Sequence, residues 1–260
     1  MWHRPPGLCG PETRSGRLRR LHRPEGRCHC SERGILNTFN MPARSKSDET
    51  RARILSAAID LFRRNGFGQT TMRDIAAEAG VALGAAYYYF DSKDAIVLAF
   101  YDQAQQDLDP LLEQAIVSSR DLSKRLYALL DVKLRYFEPN RRLLGTLSAY
   151  SDPEHPLSPF SDRTRAIREN DMRWFAQALS GATRTHIPED LLPHLPHLLW
   201  LYQMGLILFW IYDRSPEQQK TRALFDKSLV LVVRLIRLSG FPLLRPLRRI
   251  AIDLVATAVG

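Results

Sequence analysis

A hydroxyl and a carboxylate stand three residues apart at Thr71 and Asp74, with Gly80 six residues further on. This spacing predicts a short helix with both ends specified. The Thr71 side chain caps the first turn while Asp74 reaches back to the cap's backbone N–H. Ile75, Ala76 and Ala79 then form the inward face. Gly80 falls where the chain must turn through the left-handed region, which glycine enters at no steric cost. A second short helix follows, from about Ala82 to Tyr89, burying Val81, Ala86 and Phe90.

The outer faces of that second helix carry Leu83, Gly84, Ala85, Tyr87, Tyr88 and Tyr89, with no acidic group before Asp91. Phenol hydroxyls donate to phosphate oxygens and small residues permit close approach, so the face suits a phosphate-lined groove. The plainer reading makes the tyrosines packing residues of an ordinary helical hairpin. For Tyr89 the two readings stand level.

Within 260 residues there is room for one large or two small domains and a real core. The net charge is +9, and residues 1–40 hold eight arginines against three glutamates, which is +5, leaving +4 for the rest. The basic character is therefore partly a property of an Arg-rich tail. That tail lacks helical or strand periodicity and reads as disordered. Cys9, Cys28 and Cys30 all lie in it, so the remainder cannot be a disulfide framework and fits a reducing, cytoplasmic setting. Cys28-His29-Cys30 does not match a usual zinc spacing, and no further ligand pair follows. No apolar run of signal-peptide length is present; the simpler reading takes Met41 as the native start.

After a short basic arm with Arg44 and Lys46, Ser47 is expected to cap a first helix, with Asp48 and Glu49 in its opening turn. Ile54, Leu55, Ala58, Leu61 and Phe62 form its buried stripe, Gly66 ends it, and Phe67 inserts into the small core. A fourth helix should start near Lys93, capped by Asp91 or Ser92, and run to about Leu108, with Pro110 marking its end or a break. Lys93 beside free backbone N–H groups is a natural phosphate clamp. A solvated surface lysine is the bland alternative.

The blocks ILSAAIDLFRRNGF, TTMRDIAAEAGV and AAYYYFDSKDAI occur in order with short gaps over roughly residues 47–100, and together they resemble the TetR family of bacterial transcriptional regulators. The resemblance implies an all-α chain: a three-helix DNA-binding domain over 47–107, with its helix-turn-helix at 71–90, then a helical effector-binding and dimerisation domain over 108–240. It also implies a homodimer on a near-palindromic operator. The matching DNA-contact positions are Thr71, Arg73, Leu83, Gly84, Ala85, Tyr87, Tyr88 and Lys93, with Thr71, Tyr87 and Lys93 expected on phosphates and Arg73, Leu83, Ala85 and Tyr88 in the groove. Ala82, Leu83 and Ala85 depart from the polar residues common at those positions. Hydrogen-bond readout should be thin, and thymine methyls, Arg73 and DNA shape should carry more of the specificity.

Beyond Gln103 the periodicity stays helical. Leu111–Ser118, Leu122–Phe137 and Leu143–Tyr150 are expected helices, Ser151–Ser161 with its three prolines is a loop, and Asp162–Leu179 resumes as a helix with Ile167, Trp174, Phe175 and Ala178 inward. Leu198–Tyr212 is too short an uninterrupted apolar run to span a bilayer, so no membrane is expected. It reads as a helix buried by its own core and a second subunit. Residues 216–238 form an amphipathic helix with Leu224, Leu231, Leu235 and Leu238 on one side; in the family, this pair at 191–212 and 216–238 makes the dimer bundle. Phe137, Trp174, Trp200 and Met204, with Tyr202 and Trp210, are candidates to line an apolar effector pocket, or are plain core. Residues 241–260 read as an appended amphipathic helix that docks on the body or touches a membrane surface, docking being the simpler reading.

The reading that results is a DNA-binding regulator, a repressor released by a small-molecule effector. The competing class is a metalloprotein or enzyme on a helical bundle. Its candidate groups, Asp152/Glu154/His155 and His194/His197, lack the convergent carboxylates or histidines such a site needs. Neither an enzyme nor a cofactor or metal site is therefore expected.

Overall fold

The computed structural model describes residues 45–259 apart from 184, without the side chains of 251 and 254–259. The expectations for the tail at 1–40, for Met41 and for Arg44 lie outside the described residues. Among the described residues every regular element is helical.

Helix α1 (Lys46–Asn65) is capped two residues earlier than expected. Ser45 is the cap: its hydroxyl accepts from the Asp48 N–H, and the Asp48 carboxylate returns to the Ser45 N–H. From Ser47 the residue three on is Thr50, which donates to the Lys46 carbonyl and offers no return bond. Helix α2 (Met72–Glu78) has the Thr71–Asp74 capping box read from the sequence, and Gly80 turns the chain at φ +64°. Helix α3 (Leu83–Tyr89) has Ala82 at its cap and hence no side-chain cap bond.

Helix α4 (Lys93–Val117) runs straight through Pro110, where an end or break was expected. Proline removes the N–H that would bond to residue 106. The loss is tolerated because Pro110 faces solvent while Leu108, Leu112 and Ile116 are sunk in the core. The flanking Asp109 is also held by Asn170 and Trp174.

After α5 (Leu122–Phe137) come a single 3-10 turn, α6 (Arg141–Leu147), the proline-rich loop and α7 (Arg165–Ser180). Helices α8 (Leu195–Tyr212), α9 (Gln219–Leu238) and α10 (Arg245–Val259) complete the chain. α10 docks through Arg248, which donates to Asp190 Oδ2 at 2.9 Å and to the Ser239 carbonyl at 2.5 Å, and through Ile252.

Two cores result. One joins α1 to the first turns of α4 around Ile54, Phe62, Ile75, Ala86 and Phe90. It is completed by Leu143, Leu147 and Leu157 from beyond α5, so this N-terminal head is not closed by its own segment. The other core packs α5, α7, α8 and α9 around Leu126, Leu129, Phe175, Leu199 and Leu229. Phe137 touches both, and α4 runs through both. The expected boundary at 107/108 therefore falls inside a continuous helix.

On α9 the stripe Leu224, Leu231, Leu235 and Leu238 is the exposed one, while Phe225, Leu229, Val233 and Ile236 face the core. α8 likewise buries Leu199, Trp200, Gln203, Leu206 and Trp210 and leaves Leu201, Leu208, Phe209 and Tyr212 outward. By length and apolar composition α8 passes for a membrane span, but its buried face belongs to the core and includes a polar Gln203.

Between α8 and α9, Glu217 and Gln218 adopt left-handed backbone at φ 49° and 50°, a strained conformation for side-chain-bearing residues. Asp213 organises this turn. Its carboxylate accepts four hydrogen bonds, from the backbone N–H and hydroxyl of Ser215 and of Thr221, at 2.7–2.8 Å. Burial raises its pKa, and the four donors outweigh burial and hold the carboxyl well below the usual carboxylate range. A depressed folded pKa contributes stability above the unfolded value, about 3.9, and loses it as pH falls towards the folded one. Asp213→Asn should lower Tm at pH 7, and thermal melts from pH 7 down to pH 2 should show the gap narrowing only below about pH 4, where the unfolded carboxyl takes up a proton while the native one stays ionised.

Candidate nucleic-acid interface and inner cavity

α3 buries one small residue completely in the head core, with Leu83 and Tyr89 packed partly against it. Ala86 is fully buried, which fixes the rotation of the helix and turns Tyr87 and Tyr88 outward at 50% and 82% exposure. Exposing two large rings side by side wastes hydrophobic burial unless a partner covers them. Tyr89, left open by the sequence, is partly buried on the head core, and its phenol oxygen accepts from the Ser47 hydroxyl at 3.3 Å. Packing is its role in the folded chain. Leu83 and Ala85 are half-buried, Gly84 is exposed, and a Cβ built on Gly84 meets nothing within 4 Å.

Two residues assigned to phosphates from the sequence are already engaged. The Thr71 hydroxyl donates to Asp74 Oδ2 at 2.7 Å and its backbone N–H donates to the same oxygen at 2.9 Å. With its one O–H committed, Thr71 can only accept, which a phosphate oxygen cannot use. These bonds from Thr71 hold the Asp74 carboxyl below its ordinary pKa. The Lys93 ammonium donates to the Phe67 carbonyl at 2.7 Å and sits 4.6 Å from the centre of the Phe67 ring. It pins the α1–α2 connection to the start of α4 and keeps two further N–H donors. Arg73 is exposed on α2 beside this face. The Phe67–Lys93 contact spans 26 residues and left no local signal in the sequence.

A cavity of about 410 Å³ lies where the cores meet, bordered by α4, α5, α6, the proline-rich loop, α7 and α8, and half-open to the surface beside the exposed Phe160, Leu201 and Leu208. Of the four residues proposed for an effector pocket, Phe137, Trp200 and Met204 line it and Trp174 does not. The Trp174 indole N–H donates to Asp109 Oδ1 at 2.8 Å, so the ring braces α7 on α4. Tyr202 and Trp210 are also absent from the wall; their polar atoms bond Ser228 and Glu138.

The sequence reading missed the polar part of this wall. Lys133, only 4% exposed, bonds Asp171 Oδ1 at 2.7 Å and Gln203 Oε1 at 2.9 Å, and Gln203 Nε2 closes the ring on Asp171 Oδ2 at 2.7 Å. The available signal was positional: Lys133 lies three residues after Leu130 and seven after Leu126, in the apolar stripe of α5, and Gln203 lies between Leu199 and Leu206 on α8. Buried charge is retained only when paired and hydrogen-bonded, as here.

The groups considered for a metal or hydrolytic site do other work. His155 stacks on Tyr150 at 4.2 Å and accepts the Leu157 N–H, and Asp152 accepts the Glu154 N–H. His194 stands at the N-cap position of α8 without a side-chain cap bond, and His197 lies against Trp200. Among the described residues no group of three or more His, Cys, Asp or Glu is placed to hold a metal.

A helix-turn-helix head with an outward tyrosine pair, on a helical body with an inner cavity, defines the class of regulator. Residues 54–100 match the bacterial regulatory proteins of the tetR family, and residues 125–256 match the tetracyclin repressor-like C-terminal domain. The chain belongs to the TetR family. It is 40% identical to the HTH-type transcriptional regulator TtgR of Pseudomonas putida over 68 residues, covering 26% of this chain and about a third (32%) of that relative. YdgC of Bacillus subtilis, an uncharacterized HTH-type regulator, is 28% identical over 167 residues, 57% of this chain and 84% of YdgC. In fold it is similar to a TetR regulator from Nitrosomonas europaea (TM-score 0.54, 20% identity, 71% of this chain and 98% of that one). It is also similar to SmeT in a triclosan complex (TM-score 0.52, 18% identity, 71% and 91%).

Lys93→Met should lower unfolding stability by about 1–2 kcal/mol, the scale of a charge-assisted hydrogen bond lost at a partly buried carbonyl. Urea denaturation of the two proteins checks this; equal midpoints would make Lys93 an ordinary surface lysine.

Proposed function

We propose that this chain is a cytoplasmic, homodimeric DNA-binding repressor whose operator affinity is set by a small molecule in the inner cavity. The observation that carries the reading is the shared wall. Leu147 and Leu157 belong to the head core and Trp200 and Leu206 to the body core, while Leu147, Leu157 and Trp200 all border the cavity. α4 passes the cavity at Tyr101, Gln105 and Leu108 on its way from Lys93 at the head.

In this reading Tyr87 contacts phosphate, and Arg73, Leu83, Ala85 and Tyr88 face the groove, with Gly84 allowing close approach. Thr71 and Lys93 act mainly by positioning, Thr71 through the cap of α2 and Lys93 through Phe67. The apolar outward faces of α8 and α9 pack against their symmetry mates, which sets two heads on half-sites about 34–36 Å apart. A ligand wedged between the cores shifts α4 and changes that spacing. A coupling of about 1–3 kcal/mol lowers operator affinity by roughly one to two decades. SmeT, of the same fold, holds triclosan, which supports a small-molecule role for the cavity. A metalloprotein or enzyme reading has no comparable support.

Footprinting on DNA upstream of the chain's own coding sequence should reveal a protected near-palindrome. Tyr88→Ala should weaken binding there by about 1–3 kcal/mol with an unchanged far-UV CD spectrum; full affinity would remove Tyr88 from the interface. Light scattering should give a dimer for the native chain and a folded monomer for the Leu231→Glu, Leu235→Glu double variant, because two charges would then face the bundle seam. A native monomer at micromolar concentration would overturn the dimer.

A further inference from the structure

The charge on the cavity wall does not balance. Its titratable members are Tyr101, Lys133, Arg168 and Asp171. Burial raises the Tyr101 phenol above its ordinary value, so it stays neutral. Lys133 and Asp171 cancel, and both carboxylate oxygens of Asp171 are occupied, one by Lys133 and one by Gln203. Arg168 remains. One of its terminal nitrogens donates to the Pro159 carbonyl at 2.7 Å and more distantly to Ser161, and its guanidinium carbon lies 5.8 Å from the Trp200 ring centre. It makes no ion pair among the described residues, and its Nε and second terminal nitrogen have no partner there. The neighbouring His197 adds no second charge, since burial, and then Arg168 itself, lower its pKa.

The guanidinium is thus held by Pro159 and Trp200, both wall residues, with its remaining N–H donors uncommitted. Two such donors in one plane match a carboxylate. The rest of the wall is mostly aliphatic and aromatic, with Gln105, Ser148, Ser151 and Thr164 as further uncharged polar members, and about 410 Å³ lies at the small end of ligand cavities, which run from roughly 300 to 1,000 Å³. Resting on the reading of this cavity as the effector site, we infer that it takes an amphipathic monoanion, a compact apolar body bearing one carboxylate paired with Arg168. The Lys133–Asp171–Gln203 ring is not the anion's partner. It is closed on itself, and it keeps a buried ammonium and carboxylate satisfied beside an apolar ligand.

Calorimetric titration of the full chain with decanoate and with decanamide, its neutral counterpart of the same shape, tests this. Decanoate should bind about tenfold or more tightly, the scale of one charge-assisted pair in a partly buried site. Arg168→Gln should abolish the preference while leaving decanamide affinity unchanged, and a thermal melt should report that the variant is folded. Should Arg168→Gln fail to fold, the decanoate-to-decanamide ratio of the native chain still decides. Equal affinity of the two probes, each displacing the other, would overturn the anion assignment and leave the cavity as a neutral apolar effector site. Binding of neither would overturn the assignment and the effector reading of the cavity together.

Discussion

Every helix presents carbonyls at its C-terminus that no N–H of the same helix can reach, and a bundle of helices must find donors for them. In this chain one guanidinium serves two helices at once. Arg125, 7% exposed, donates through Nε to the Ala178 carbonyl at 2.8 Å and through one terminal nitrogen to Gln177 at 2.8 Å, both in the last turn of α7. Its other terminal nitrogen serves Ile116 and Ser119 at the end of α4. No carboxylate takes part. The partial negative charge at two helix ends compensates the buried cation. A Cβ on Gly181 would collide with the guanidinium, so the smallest residue at the end of α7 is a condition of this arrangement. Arg141 repeats the device at the end of α8, where it donates to the carbonyls of Trp210, Ile211 and Asp213.

With α4 tied to α7 at one end and to Phe67 through Lys93 at the other, the head and the cavity are mechanically joined. The cavity is where the two cores do not close on each other. Bulky aromatics keep it open from two sides, Phe137 from α5 and Trp200 from α8, and the polar ring of Lys133, Asp171 and Gln203 stiffens three of its walls. A packed core is bistable more readily than it is compressible, so in the proposed function an occupant here would favour one placement of α4 over another.

Much of the head was legible in the residues because its signals are local. A capping box acts within four residues, and Gly80 supplies a backbone conformation unavailable at similar cost to its neighbours. Misreadings came where local preference lost to tertiary packing. Pro110 did not end α4, since the buried Leu108, Leu112 and Ile116 outweigh one missing hydrogen bond on the solvent side. Trp174 looked like a pocket residue by composition, but its indole N–H needed a partner and found Asp109 across the bundle.

Helix content, the turn at Gly80 and the family resemblance were determined by the sequence alone, because caps, periodicity and glycine act between residues a turn or two apart. On α9 the sequence reading picked out the stripe Leu224, Leu231, Leu235 and Leu238. Only the tertiary structure decided that Phe225, Leu229, Val233 and Ile236 face the core and that Leu224, Leu231, Leu235 and Leu238 face outward. The choice depends on which stripe meets α5 and α8, a matter of shape between segments far apart in the chain. The same holds for the cavity and its unbalanced Arg168. Charge balance in a wall is a property of side chains drawn from five helices and a loop, and no window of sequence contains it.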